Sequence, residues 1–366
     1  MATKKRAAKP VPPPDNSTGR LFEKELAGEQ GPLVELAAEL CTRSELFFIR
    51  QPWKRLGDAN LILFEDPDSG EMCYCCVMGA LGQVYSLHAF IGSEGFQVYQ
   101  AVAAQDPGIE DSIYSLSRSV SVELVARMEL TPPDRELLRS VGVPSKPGVR
   151  VPVFRALRPG YQPWYPTEAE ARLLLGCLGA VGAVLDHLNA EPGAHFWAEA
   201  HHYPQAVPGG QDGNYKITQT KIPQRSRAVL ELPNIDEKRV AAILKSGLPV
   251  KGVLELDYFR SRAAIGKKHE RKACLGLAMA IDAKTAFAFP PQLTEPGQPI
   301  AELLPDVLMT AIETSHSIPL EVHVRDRDQK HQLDRLAREL GFRLKATESL
   351  PAFDFAKEHL MELMGR

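Results

Sequence analysis

The feature that most constrains this 366-residue chain is the alternation of patterns in its last third. Residues 253–259 and 275–281 are apolar runs of strand length, and 286–289 is a third, set off by an Asp282-Ala283-Lys284 turn. The period then changes. Pro305 opens a helical pattern through Leu308 and Ile312, and residues 320–324 are again a strand. Leu333, Leu336, Ala337 and Leu340 mark an amphipathic helix that Gly341 closes. Residues 342–345 read as a short strand and 353–364 as a last helix. The order β-β-β-α-β-α-β-α predicts an α/β domain with a mixed sheet covered by helices.

The first half carries a different signature. After Pro32, Leu33, Leu36, Ala37 and Leu40 recur at helical spacing. Strand-like stretches follow at 46–49, 61–64, 72–78 and 84–90, separated by Asp66-Pro67-Asp68-Ser69-Gly70 and Gly79-Ala80-Leu81-Gly82. This predicts an antiparallel meander within an α+β domain. Ser93 is placed to cap a helix through Phe96, Tyr99 and Val102. Thr167 and Glu170 form a capping box for a helix to about Asn189, on which Gly176, Gly179 and Gly182 make a stripe suited to close approach.

Four segments result: a disordered, basic, Pro-rich tail at 1–20, an α+β domain at 21–205, a linker or loop at 206–224 and an α/β domain at 225–366. The linker rests on the Gly/Pro-rich stretch 203–215. Net charge is only -3, which excludes a polybasic coat or an acidic disordered chain. It is unevenly spread: residues 21–120 hold 15 acids and 6 bases, and 216–272 hold 14 bases and 6 acids. Either the two regions dock, or the second faces a phosphate backbone. No apolar run approaches the ~18 residues of a membrane span. The basic N-terminus lacks the apolar core of a signal peptide, and six cysteines make no disulfide framework. A cytoplasmic protein with no membrane partner is expected.

Three carboxylates carry the sharpest chemical reading. Asp257 lies in the first strand of the second domain, Asp326 directly follows the fourth, and Glu358 is on the last helix. This arrangement resembles the ribonuclease-H-like superfamily of transposases and integrases. The resemblance implies that an Asp on the first strand, an Asp after the fourth and an acid on a later helix hold two divalent cations, Mg or Mn. Such ions sit ~3.5–4 Å apart, activating the attacking oxygen and stabilising the leaving one. Lys267, Lys268, Arg271 and Lys272 would then approach the phosphates of a nucleic acid. Arg327 and Asp328 depart from the small residue and glycine usual after the second Asp. The structural alternatives are a helix cap at Asp326 and an ion pair at Asp257.

The whole chain also resembles a bacterial family that joins domain of unknown function 7309 to domain of unknown function 6930. The matching stretches are Asp66-Pro67-Asp68-Ser69-Gly70, Val77-Met78-Gly79, Phe90-Ile91-Gly92-Ser93-Glu94-Gly95-Phe96, Arg158-Pro159-Gly160-Tyr161-Gln162-Pro163-Trp164 and Val322-His323-Val324-Arg325-Asp326. The resemblance implies two domains and no activity.

Weaker constellations remain. Cys73, Cys75 and Cys76 on a strand put the first two on one face and the third on the other, more suited to burial than to zinc. His195, His201 and His202 cluster near Glu199, as surface residues or as metal ligands. Gly92-Ser93-Glu94-Gly95 opens a helix where an anion could bind. The leading expectation is a non-enzymatic two-domain protein that binds a macromolecular partner, with nucleic acid among the candidates. The alternative is a divalent-metal-dependent nuclease using Asp257, Asp326 and Glu358.

Overall fold

The structure, a computed structural model, describes residues 34–104, 117–143, 146–191, 193–194, 196–209, 214–222, 233–266, 270–294 and 300–364. The basic tail and Pro32 lie outside them. The first helix, α1 (Val34–Ile49), buries Leu36, Ala37, Leu40, Cys41, Ser44, Phe47 and Phe48. The strand expected at 46–49 is therefore the last turn of this helix: Phe47 and Phe48 continue its buried stripe, and Leu46 and Ile49 are exposed.

The meander forms as expected. β1 (Ile62–Glu65), β2 (Met72–Met78), β3 (Ser86–Ile91), β4 (Ser119–Ala126) and β5 (Arg150–Leu157) pair antiparallel with their successors. Between β3 and β4 stands α2 (Gly92–Ala103), whose N-cap position is Ile91, not Ser93. After α3 (Pro132–Ser140), α4 (Glu168–Ala190) starts with the expected box: Thr167 accepts from the Glu170 amide, and Glu170 Oε2 accepts from the Thr167 amide at 2.8 Å. The glycine stripe brings β-sheet residues close: a Cβ on Gly176 would stand 2.5 Å from Phe64, and one on Gly179 2.6 Å from the Tyr215 hydroxyl. By length and composition α4 could cross a membrane. A search for unbroken apolar runs misses this, because charged residues and His187 interrupt the helix. Half of its most apolar window is buried in the fold.

The expected linker is mostly strand. β6 (His202–Pro208) and β7 (Tyr215–Lys221) form a hairpin from His202↔Lys221 to Pro208↔Tyr215, and β6 runs parallel to β1. The Gly/Pro-rich stretch thus overlaps the paired ends of these two strands, and residues 210–213 lie outside the described residues. The seven-stranded order is β5-β4-β3-β2-β1-β6-β7. One face packs under α1 and α4; the other carries a smaller cluster with Phe96 and Val98 of α2.

The second half begins with α5 (Glu237–Lys245), capped by Asp236, which accepts from the Lys238 and Arg239 amides. Then come β8 (Val253–Ile265), β9 (Ala273–Asp282), β10 (Gln292–Leu293), α6 (Leu304–Ser315), β11 (Glu321–Val324), α7 (Arg327–Leu340), β12 (Arg343–Ala346) and α8 (Pro351–Met364). The five-stranded order is β10-β9-β8-β11-β12, with β8, β11 and β12 parallel and the other pairs antiparallel. The strand expected at 286–289 is displaced. Ala286 adopts a positive φ of 56°, Ala288 makes only an isolated bridge to Ile281, and β10 follows. The cause is the turn, in which Asp282 Oδ1 accepts from the Lys284 and Thr285 amides. Helices α5, α6 and α7 cover one face and α8 the other. Both sheets are mixed, and the chain is of the α+β class.

A backbone joint links the halves. The 158–164 turn folds back on β5, with Ala156 and Trp164 exchanging amide–carbonyl bonds of 2.7 and 2.9 Å. Its outer side pairs with β9: the Gln162 amide donates to Lys272 and the Cys274 amide to Gly160, both at 2.8 Å. Gly160 holds a φ of 79°, a left-handed conformation that a side chain would resist.

Candidate functional site

The central strand β8 places Glu255 and Asp257 on one face, two residues apart and both buried. Glu255 Oε2 accepts from the Phe353 amide at 2.8 Å and so caps α8 from a neighbouring strand. Asp257 is engaged at both oxygens. Oδ1 accepts from Gln329 Nε2 at 2.6 Å and from the Tyr258 amide at 2.8 Å; Oδ2 accepts from Arg325 Nε at 2.9 Å. Arg325 leaves the end of β11 and also reaches Asp354 Oδ1 at 2.5 Å and the Glu348 carbonyl at 3.1 Å. Burial pushes the Asp257 carboxyl above its ordinary value, against the opposing pull of Gln329, the Tyr258 amide and Arg325. Burial acts against the Arg325 charge as well, but Asp354 and Asp257 outweigh it and hold the guanidinium above its ordinary value.

The other two carboxylates do not join this cluster. Asp326 is the N-cap of α7, its Oδ1 accepting from the Asp328 and Gln329 amides at 2.8 Å each. Glu358 is exposed on α8. Among the described residues, no group of three or more His, Cys, Asp or Glu side chains is placed to hold a metal ion. Asp257, Asp326 and Glu358 are thus not gathered into such a group for Mg or Mn. Asp326 turns onto the free amides of its own helix, and Asp257 turns onto Arg325.

The basic candidates divide. Lys267 and Lys268 lie outside the described residues. Arg271 is buried inside the joint rather than facing solvent. Its guanidinium donates to the carbonyls of Ala156 at 3.4 Å and Tyr165 at 3.3 Å, and meets Glu170 Oε2 at 3.4 Å. Burial alone would raise the Glu170 carboxyl; Arg158, the Thr167 amide and Arg271 outweigh it and hold it below its ordinary value. Lys272 is half-buried and contributes its carbonyl to the joint. Of the basic stretch, Arg271 and Lys272 thus dock on residues 156–170.

The weaker constellations resolve into structure. Cys73 and Cys75 face the larger core and Cys76 the smaller one, as strand alternation requires. All six cysteines are buried free thiols. His202 lies 3.4 Å from Glu199, and His195 is outside the described residues. At the start of α2, the carboxylates of Glu94 and Glu71 approach Gly92, which disfavours an anion there. Sequence reasoning missed Arg325 and Gln329, the partners of Asp257. The one signal available was an Arg at the strand end, next to the acid that drew attention.

Two family models match the chain. Residues 39–203 match "Domain of unknown function (DUF7309)", and residues 242–361 match "Domain of unknown function (DUF6930)". No curated protein matches. The first match ends inside β6, although β6 and β7 complete the N-terminal sheet.

Proposed function

We propose that this is a non-enzymatic, cytoplasmic two-domain protein that binds a macromolecular partner, and that its C-terminal half is a ribonuclease-H-like domain without the chemistry. Two observations support the kinship: the strand order β10-β9-β8-β11-β12 and the helices after its third, fourth and fifth strands. The observation that carries the non-enzymatic reading is the Arg325 Nε bond to Asp257 Oδ2 at 2.9 Å. A divalent cation needs carboxylate lone pairs free to coordinate it, and a guanidinium in contact with that carboxylate both occupies them and repels the ion. Free buried thiols throughout suit a reducing compartment.

Nucleic acid is the partner to test first, because Lys216, Lys221, Lys238, Lys245 and Lys251 are exposed within the basic stretch. The test incubates the full chain with labelled single- and double-stranded DNA and RNA, with and without Mn²⁺ or Mg²⁺. The expected result is salt-dependent binding by fluorescence anisotropy, no cleavage, and no metal-induced rise in Tm. Metal-dependent cleavage by the wild type that vanishes in a folded Asp257→Asn variant overturns the non-enzymatic reading. Absence of binding at low salt removes nucleic acid as the partner.

A further inference from the structure

On the face of the N-terminal sheet that carries α2, a cavity of about 470 Å³ opens near the end of that helix. Cys76, His88 and Phe90 line it from the sheet and Tyr99 from α2, and Asp58 and Ala103 are exposed at its rim. Two of its polar groups are already used. Cys76 Sγ and Tyr99 Oη both donate to the Asp58 carbonyl, each at 3.2 Å. His88 differs. Its ring lies against Phe90, centroids 4.4 Å apart, and its Nε2 is buried with no hydrogen-bond partner among the described residues. Buried polar atoms nearly always have partners, so an orphan on a residue that lines a cavity points to a partner from outside the described chain. The volume and the mainly apolar lining are those of a small-molecule site.

Charge narrows the class. Burial holds the His88 imidazole down at about 4, so it is neutral at pH 7 and offers no cation to an anionic ligand. The Asp58 carboxylate at the rim repels anions further. Burial, then Asp58 and Cys75, push the Cys76 thiol up to about 12, so no thiolate is available for a metal or an electrophile.

We propose that this cavity binds a small, uncharged, largely apolar molecule that presents one hydroxyl or carbonyl group to His88 Nε2. The site is independent of the partner-binding reading above and survives its failure. Phenol is a suitable probe, with one ring, one hydroxyl and no charge at neutral pH. It is titrated into the full chain while the imidazole nitrogens are followed by long-range proton–nitrogen NMR, with His88→Phe identifying the resonance. The expected result is a saturable shift of the His88 Nε2 signal. That shift disappears in Ala103→Trp, which plugs the rim from an exposed position, and Ala59→Trp on the same rim is the second blocking variant should the first misfold. Benzene, lacking the hydroxyl, should bind roughly five- to tenfold more weakly, the worth of one hydrogen bond. No saturable shift, a shift that persists in the blocking variants, or equal binding of phenol and benzene overturns the proposal. Water, not a ligand, then completes His88.

Discussion

Arg271 and Arg325 perform the same task in two regions that differ in their access to water. Each satisfies a carboxylate and backbone carbonyls contributed by distant segments. The Arg271 side chain is 1% exposed and its contacts with Ala156, Tyr165 and Glu170 run from 3.3 to 3.4 Å; the Arg325 side chain is 30% exposed and its contacts with Asp354 and Asp257 are 2.5 and 2.9 Å. Arg271 thus combines long contacts to these three partners with a side chain closed off from solvent. The cluster at Asp257 combines close geometry with partial screening. Because attraction strengthens as the local dielectric falls, the looser arrangement is the more consequential one.

That ranking can be broken by substitution. Arg271→Met should lower stability by about 3 kcal/mol, the low end for a broken buried pair because Arg158 still faces Glu170. Calorimetry should also show one thermal transition becoming two as the halves uncouple. An unchanged single transition would sink the claim that the joint couples them. Arg325→Met should lower stability by roughly 2 kcal/mol at neutral pH. Without its cation the Asp257 carboxyl rises further, so the folded state holds its proton to higher pH. The loss should therefore be small in mild acid and grow as pH rises; a loss independent of pH would show that Asp257 gains nothing from Arg325.

His88 supplies the third case, a ring whose buried Nε2 has no hydrogen-bond partner among the described residues. Its imidazole is held at about 4 in the folded protein against an ordinary 6.5, so the unfolded state binds more protons between those values. The contribution of this group to stability is present above pH 6.5 and falls by about 1.4 kcal/mol for each pH unit crossed toward 4. Urea midpoints at pH 7 and pH 5 should converge in His88→Phe, and equal slopes in both proteins would contradict the burial. Two smaller effects complete the scale. Asp326→Ala should lower stability by about 1 kcal/mol, as the loss of a helix cap does, and leave any nucleic-acid binding intact. Arg335→Ala, which breaks an exposed pair with Glu237, should leave Tm unchanged within the error of a calorimetric scan.

Much of the C-terminal order was legible because its strands and helices switch period and carry their own punctuation. Gly341 ends α7 with a φ of 79°, and Pro305 sits in the first turn of α6. The capping box of Thr167 and Glu170 was equally local. What failed was either ambiguous in period or settled by tertiary contact. Residues 46–49 are too short to distinguish a strand from a helical turn, and the glycines at 209–213 signal a tight reversal without saying what it joins. The candidate site was readable only as a set of acids. Whether Asp257 meets a metal or an arginine depends on Arg325, 68 positions away, and the fate of Arg271 depends on Glu170, 101 positions away. Nothing in local spacing encodes those meetings.

The parallel pairing of β1 with β6 has a consequence for synthesis. Leu63 of β1 aligns with Gln205 of β6, so the two are delivered by the ribosome far apart in time. Once the five-strand meander has emerged, the nascent chain presents β1 as a bare edge whose Ile62, Leu63 and Phe64 will end almost wholly enclosed. Such an edge invites pairing with other chains until the β6–β7 hairpin leaves the exit tunnel and closes it. A fragment ending at residue 203 would arrest the protein in that vulnerable state.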